Sequence, residues 1–149
     1  MSEQECQLKK SYNDPIDYKE DGERYLIMRY WARPKSKKQL HIVDWLRDLA
    51  PSKELHRDWY PKDKKNKRRI SEEEYITRFN NEIMKNQNAL RLLTTLLDKA
   101  IDNKENKKTI TLLCIENEGQ FCHRHIVKQM IENREYFSRH PHQSQRQEQ

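Results

Sequence analysis

The chain has 149 residues, which is the length of one domain or of one domain with irregular ends. Hydrophobic residues make up 34% of it and charged residues 36%, so the sequence predicts a small core under a heavily charged surface. No apolar run approaches the roughly 18 residues of a membrane span, and the first ten residues lack a secretory signal, so we expect a cytoplasmic protein without a membrane partner.

Two stretches of the amino-terminal part favour β-strands. Residues 5–11 are predicted to form an edge strand, because alternate positions are apolar. Residues 24–31, RYLIMRYW, predict another strand, since a nearly continuous apolar run is typical of a strand buried on both faces. Arg29 lies inside this run, and a charge there must emerge near the end of the strand or be paired.

Helices are predicted after this strand. Apolar residues recur at helical spacing between positions 40 and 50: Leu40, Val43, Leu46 and Leu49. Pro51 ends that predicted helix, and Ser52 is placed to cap a short successor that runs to Trp59.

Two longer helices are predicted in the middle of the chain. Ser71 and Glu74 have the spacing of a capping box at the start of the first. Its apolar stripe consists of Tyr75, Ile76, Phe79, Ile83 and Met84. The second is predicted from about residue 88 to residue 101.

The carboxyl-terminal part adds a strand and a helix. Residues 109–115, TITLLCI, are typical of a second buried strand, and a last helix is predicted to begin near Cys122. Strands separated by helices favour an α/β fold with a small, mainly parallel sheet flanked by helices. We expect a single domain over residues 1–137 and a disordered, flexible tail over residues 138–149.

The cysteines and glycines restrict the chemistry. Cys6, Cys114 and Cys122 are an odd number without the spacing of a disulfide framework, so thiols are expected in a reducing compartment. Gly22 and Gly119 are the only glycines of the sequence, which excludes a glycine-rich phosphate loop.

A basic segment lies at residues 62–69, and Trp59 and Tyr60 precede it. Its cations are Lys62, Lys64, Lys65, Lys67, Arg68 and Arg69. Such a segment is able to bind the phosphates of a nucleic acid, although a solvated loop has the same composition. A nucleic-acid-binding module is therefore the main alternative function, and a structural or partner-binding protein is a third.

The segment after the second predicted strand concentrates polar residues. Cys114 and Glu116 are expected at the strand end, and Cys122, His123 and Arg124 in the first turn of the last helix. A helix amino terminus favours anions, and it lowers the pKa of a cysteine placed there. In parallel sheets ligands gather at the carboxyl ends of strands, so this segment and the one after Tyr30 are expected to meet.

Two stretches resemble a known family. LLCIENEGQFCHRHIVKQMI is similar to the carboxyl-terminal signature of the DUF488 family, an aliphatic strand ending in Leu-Cys-x-Glu and then Cys-His-Arg opening a helix. YLIMRYWARPKSKKQLHIVDWLRDLAPSKEL resembles the YeaO-like branch, whose strand ends in Asp-Arg-x-Trp-Pro-Arg-Gly. Arg29, Trp31 and Arg33 match that motif, whereas its other three positions hold Met28, Ala32 and Pro34. The resemblance covers roughly residues 24–133 and implies an α/β domain with both segments at one site, without an established activity.

These observations favour a phosphate- or nucleotide-handling protein. The residues predicted to hold the anionic ligand are Arg29, Arg33 and Arg124. The residues predicted for catalysis are Glu116, Cys122 and His123, with Glu116 or His123 moving a proton. The structural alternative is that the arginines pair with Glu116 or Asp44. Whether the protein is an enzyme, and its oligomeric state, stay open.

Two other kinds of site are less well supported by the sequence. A cysteine-phosphatase loop requires an arginine six positions after its nucleophile, but Cys114 and Cys122 are followed there by Gln120 and Lys128. A metal site could draw on Cys114, Cys122, His123 and His125. However, no C-x-x-C pair occurs, and neighbouring side chains on a helix diverge, so we expect neither a metal nor a cofactor.

The remaining histidines and aromatic residues are assigned structural positions. His41 and His56 lie on amphipathic stretches and are expected to face solvent. Apolar stripes place four aromatic residues in the core: Trp45, Trp59, Tyr75 and Phe79.

Overall fold

The computed structural model describes residues 6–8, 11–62, 68–106, 109–116, 120–133 and 136. The strands are β1 (Cys6–Leu8), β2 (Glu23–Leu26), β3 (Asp44–Trp45) and β4 (Ile110–Leu113). They form one parallel sheet in the order β1-β4-β2-β3, so β4 and β2 are the central strands. The predicted fold class, an α/β fold with a small parallel sheet flanked by helices, is confirmed. The predicted tail over residues 138–149 lies outside the described residues, and the domain boundary at 137 stays a prediction.

Five α-helices and a short 3-10 helix accompany the sheet in the described ranges. The α-helices are α1 (Lys37–Leu40), α2 (Lys53–Trp59), α3 (Glu72–Lys85), α4 (Gln87–Asn106) and α5 (His123–Glu132), and the 3-10 helix is Arg47–Leu49. In these ranges no helix combines the length and the apolar composition that crossing a bilayer requires.

The two central strands end side by side. In the pairing of β2 with β4, Leu26 lies opposite Leu113, and both side chains are fully buried. The predicted strand over residues 24–31 is too long, because the ladder stops with the bond from the Ile27 amide to the Leu113 carbonyl. Arg29 therefore follows the strand and is not part of it.

The helix predicted between positions 40 and 50 is wrong. His41 adopts the left-handed conformation, with φ of 53°, and this ends α1 after a single turn. The chain then forms β3, whose flanking amides of Val43 and Leu46 donate to carbonyls of β2. Pairing with an open strand edge outweighs the local helical periodicity, and Val43 is left half exposed.

The predicted starts of α2 and α3 are confirmed by their caps. The Ser52 hydroxyl accepts from the Leu55 amide, and the Ser71 hydroxyl accepts from the Glu74 amide. Of the predicted apolar stripe on α3, the fully buried members are Tyr75, Phe79 and Ile83. These side chains belong to the main core between the helices and the sheet.

A close approach at Gly22 fixes the start of β2. This glycine has a φ of 62°, and a Cβ built on it would lie 2.0 Å from the Thr109 carbonyl oxygen. Beside it, the Arg24 guanidinium forms a buried ion pair with Asp21 and also donates to the Leu40 carbonyl. Glycine is thus required where the loop before β2 crosses the start of β4.

Candidate functional site

A cavity of about 590 Å³ lies where β2 and β4 end, and we call it the strand-end cavity. The segment that follows β2 and the segment between β4 and α5 both line it, together with α2. The two segments that were expected to meet therefore border one cavity. Its position matches the general rule that parallel sheets bind ligands beyond the carboxyl ends of their strands.

Aromatic rings form much of the cavity wall. The aromatic lining residues are Tyr12, Tyr30, Trp31, Trp59, Tyr60, Tyr75 and Phe121. Trp59, Tyr75 and Phe121 pack on one another with ring centroids 5.0 to 5.3 Å apart. Trp59 and Tyr75 are buried, as predicted, but they also border the cavity, a position that their apolar stripes did not indicate.

Two of the three predicted arginines line the cavity. Arg29 is partly buried and Arg33 is exposed, and neither forms an ion pair with another residue of the described ranges. The structural alternative, in which they pair with Glu116 or Asp44, is thus not observed. Arg124 is different, because its side chain is 1% exposed and is absent from the cavity lining.

Glu116 contributes a carboxylate to the cavity. The Tyr60 hydroxyl, at the end of α2, donates a short hydrogen bond to it across 56 residues of chain. Burial and the neighbouring Glu116 both raise the pKa of Tyr60 well above its ordinary value, so the phenol stays protonated as a donor. This bond joins α2 to the loop after β4.

His56 also lines the cavity, so the expectation that it faces solvent is wrong. Its ring lies between Tyr30 and Tyr60, with centroid distances of 5.0 and 5.2 Å. Burial lowers the pKa of His56, and the charges of His123 and Arg29 lower it further, while Glu116 opposes them. The residue was missed because periodicity gives the face of a helix but not what covers that face. The sequence did contain one indication: His56 precedes Tyr60 by four residues, and residues four apart lie on the same face of a helix.

The cysteines and His123 form a buried cluster at the inner wall. One ring nitrogen of His123 lies 3.7 Å from the Cys122 sulfur, and the other lies 3.7 Å from the Cys114 sulfur. The second nitrogen also contacts the Ile27 carbonyl oxygen. Burial alone lowers the pKa of His123, but Cys122 and the Ile27 carbonyl outweigh it and raise that pKa.

The expectation that the helix end activates Cys122 is wrong. Cys122 precedes α5 as its N-cap and is buried, and burial together with Cys114 raises the pKa of its thiol well above the ordinary value. The expectation that the side chains at positions 122 and 123 diverge is also wrong. The reason is that the Cys122 backbone is extended, with φ of −157° and ψ of 147°, and not helical.

The basic segment is described only at its ends. Lys62, Arg68 and Arg69 are exposed, whereas positions 63–67, with Lys64, Lys65 and Lys67, lie outside the described residues. The guanidinium carbon of Arg69 lies 4.3 Å from the centre of the Trp59 ring, and its Nε donates to the Trp59 carbonyl. Arg69 therefore stabilises the end of α2 by packing on Trp59. A residue that served only to bind phosphate would not need this contact.

Comparisons with known proteins agree with the resemblance seen in the sequence. The sequence model of a family described as the active DUF488-N3 subclade matches residues 9–135. Uncharacterized proteins of Mycobacterium bovis and Mycobacterium tuberculosis are 44% identical over 41 residues, which is 28% of this chain. The match spans 34% of the length of those relatives. No solved structure matches the chain.

Proposed function

The chain belongs to the DUF488 family, and we propose that this member binds a nucleotide in the strand-end cavity and exchanges a proton with it. The observation that carries the proposal is the composition of the cavity. Aromatic walls stand next to two arginines that lack carboxylate partners among the described residues. A ligand that fits both features has a flat ring and a phosphate.

The ring of the ligand is expected to stack on the tyrosines at the rim. Tyr30 is 50% exposed and Tyr60 is 37% exposed, so each retains free ring surface although both line the cavity. Stacking of a base on an aromatic side chain contributes about 1–3 kcal/mol per base and tolerates any base. The aromatic wall therefore supports binding of a nucleobase without indicating which one.

The phosphate is expected at Arg29. Its Nε is buried and has no hydrogen-bond partner in the described parts of the chain. A buried donor without a partner costs about 1–3 kcal/mol, and an anionic ligand that accepts from it would remove that cost. Arg33 lines the same cavity and provides a second, exposed guanidinium for a bidentate contact.

Glu116 is the residue that we propose to move a proton, and it is one of the two residues, with His123, that the sequence suggested for this role. It lines the cavity together with His56, and Tyr60 orients its carboxylate. We assign the catalytic candidates Cys122 and His123 to the inner wall, because their polar atoms face each other and the Ile27 carbonyl. The match of the chain to an active subclade of the family supports an enzymatic role.

Calorimetric titration of the wild type with AMP, adenosine and ribose 5-phosphate tests the proposal. We expect AMP to bind more tightly than either half, because it offers both a ring and a phosphate. Arg29→Gln removes a charged hydrogen bond of about 1.5–3 kcal/mol, so AMP affinity should fall about 10- to 140-fold. Arg57→Gln, an exposed position of α2 outside the cavity lining, is the matched control and should bind AMP normally. Absence of nucleotide binding, or equal losses in both variants, would refute the assignment.

A further inference from the structure

We propose that Cys114, Cys122 and His123 form a binding site for a zinc ion. Each of them offers one ligand atom, and these three atoms lie within 4.8 Å of one another. All three side chains are buried, so their arrangement is fixed by packing and not by solvent. Two cysteine sulfurs and one imidazole nitrogen are ligands that zinc prefers.

The fold brings the three residues together from two elements. Cys114 directly follows β4, whereas Cys122 caps α5 and His123 is its first residue. The extended backbone at Cys122 turns its side chain toward that of His123, which a helical conformation would not do. The loop between β4 and α5 therefore returns the chain to the strand end that it left.

The distances are those of a site that requires little adjustment. Tetrahedral zinc holds sulfur at about 2.3 Å and nitrogen at about 2.0–2.1 Å, which separates its ligand atoms by roughly 3.5–3.8 Å. The Nδ1 atom of His123 lies 3.7 Å from the Cys122 sulfur, and the ligand atoms of the three residues lie within 4.8 Å of one another. Side-chain rotations that bring the wider separations, which reach at most 4.8 Å, into this range would complete the coordination.

A backbone carbonyl supports His123 in the way that ligand histidines are usually supported. The Ile27 carbonyl oxygen contacts Nε2 and can only accept, so a neutral His123 carries its proton on Nε2. Nδ1 then presents a lone pair beside the Cys122 sulfur. Donation by the second ring nitrogen to a carbonyl or carboxylate is the common outer contact of metal-bound histidines.

The site has three protein ligands and an accessible side. Cys122 and His123 line the strand-end cavity, whereas Cys114 lies behind them and is fully buried. An ion held by the three would face the cavity, with its fourth position open to water or to a donor atom of a bound molecule. Three protein ligands and an open position are typical of reactive zinc, and four protein ligands of structural zinc.

Zinc binding to the reduced protein tests the site independently of any nucleotide. We expect one equivalent of zinc to bind, in competition with a chromophoric chelator. Cobalt in its place should give the intense near-ultraviolet absorption of thiolate coordination. Cys114→Ser, Cys122→Ser and His123→Gln should each lower zinc affinity by about 100-fold or more, beyond the range that loss of an outer contact produces. Cys6→Ser and His125→Gln are the matched controls and should bind zinc as the wild type does.

X-ray absorption at the zinc edge needs no variant, and so it decides the matter even if the substituted proteins fail to fold. Two sulfur ligands and one imidazole in the wild type support the site. A sulfur-free ligand set, or failure of the reduced protein to bind one equivalent of zinc, overturns it. The proposal is also overturned if Cys114 and Cys122 form a disulfide and the protein binds no zinc.

Discussion

His56 lies between the rings of Tyr30 and Tyr60, with its imidazole half-buried. Burial lowers its pKa in the folded protein, whereas in the unfolded chain the pKa is about 6.5. Below about pH 6.5 the unfolded chain therefore binds this proton more readily than the folded protein does. It follows that the free energy of unfolding should fall as the pH falls from 6.5 through the folded pKa of His56.

Urea unfolding at pH 7.5 and pH 5 measures this effect in the wild type and in His56→Gln. The variant should lose less stability on acidification than the wild type. The reason is that it lacks the His56 imidazole, which the folded state holds in its neutral form. His41→Asn is the control: His41 is exposed, and asparagine tolerates its left-handed backbone. Equal losses in His56→Gln and the wild type would show that other groups cause the acid sensitivity.

At the scale of single residues, the sequence identified charged and reactive groups better than their surroundings. Arg29, Glu116 and Cys122 stand out in otherwise apolar stretches, and each lines the cavity. His56 and Tyr60 look ordinary in the sequence, since their role depends on rings and carboxylates brought from elsewhere. The raised pKa of Cys122 was also not predictable, because burial in the core and the proximity of Cys114 decide it.

At the scale of elements, α2 positions both His56 and Tyr60, and Ser52 fixes its start. The Ser52 hydroxyl caps α2 and also bonds the Glu82 carboxylate of α3, while its amide donates to the same group at 2.9 Å. Ser52→Ala removes the cap and leaves Glu82 without the hydroxyl. We expect the free energy of unfolding to fall by about 1–2 kcal/mol, and AMP affinity to fall with it as the first turn of α2 frays.

Ser36→Ala separates a loss of stability from a loss of AMP affinity. Ser36 caps α1, which does not line the strand-end cavity, through a capping box with Gln39. This variant should lower stability in urea unfolding without changing AMP affinity measured by calorimetry. Unchanged AMP affinity in Ser52→Ala, or equal losses in both variants, would show that the cap of α2 does not control the site.

Element prediction succeeded where local signals and tertiary contacts agree. The helices α3 and α4 and the strand β4 follow from caps and periodicity, and each packs in the core as those patterns indicate. The stretch from Leu40 to Leu49 failed because its periodicity is helical, while the edge of β2 was open for pairing. No local signal shows that an open strand edge will be adjacent in space.

At the scale of the whole molecule, the strand order β1-β4-β2-β3 creates the site. It places β4 beside β2, so that His123 reaches Ile27 across 96 residues of chain and Tyr60 reaches Glu116 across 56. The sequence predicted that the strand ends would meet but could not supply the order. It therefore grouped Arg124 with Arg29 and Arg33, although Arg124 is buried away from the cavity lining.

The net charge of +6 gives the whole molecule an attraction for polyanions that is separate from the cavity. Binding through surface lysines and arginines releases counterions, so oligonucleotide affinity should fall at least tenfold between about 50 mM and about 200 mM salt. Arg29 is partly buried and stacking is insensitive to salt, so AMP affinity should fall by less than about threefold over the same range. Fluorescence anisotropy of a labelled oligonucleotide and calorimetry of AMP provide the two measurements.

A double charge reversal, Lys62→Glu with Arg68→Glu, tests by mutation whether oligonucleotide binding and AMP binding use different sites. Both residues are exposed ends of the basic segment and neither lines the cavity, so the reversal should weaken oligonucleotide binding and leave AMP binding unchanged. Arg29→Gln should show the opposite pattern. If AMP affinity instead follows salt as steeply as oligonucleotide affinity, or falls with the charge reversal, the phosphate is bound by the basic segment. The cavity would then not be the nucleotide site.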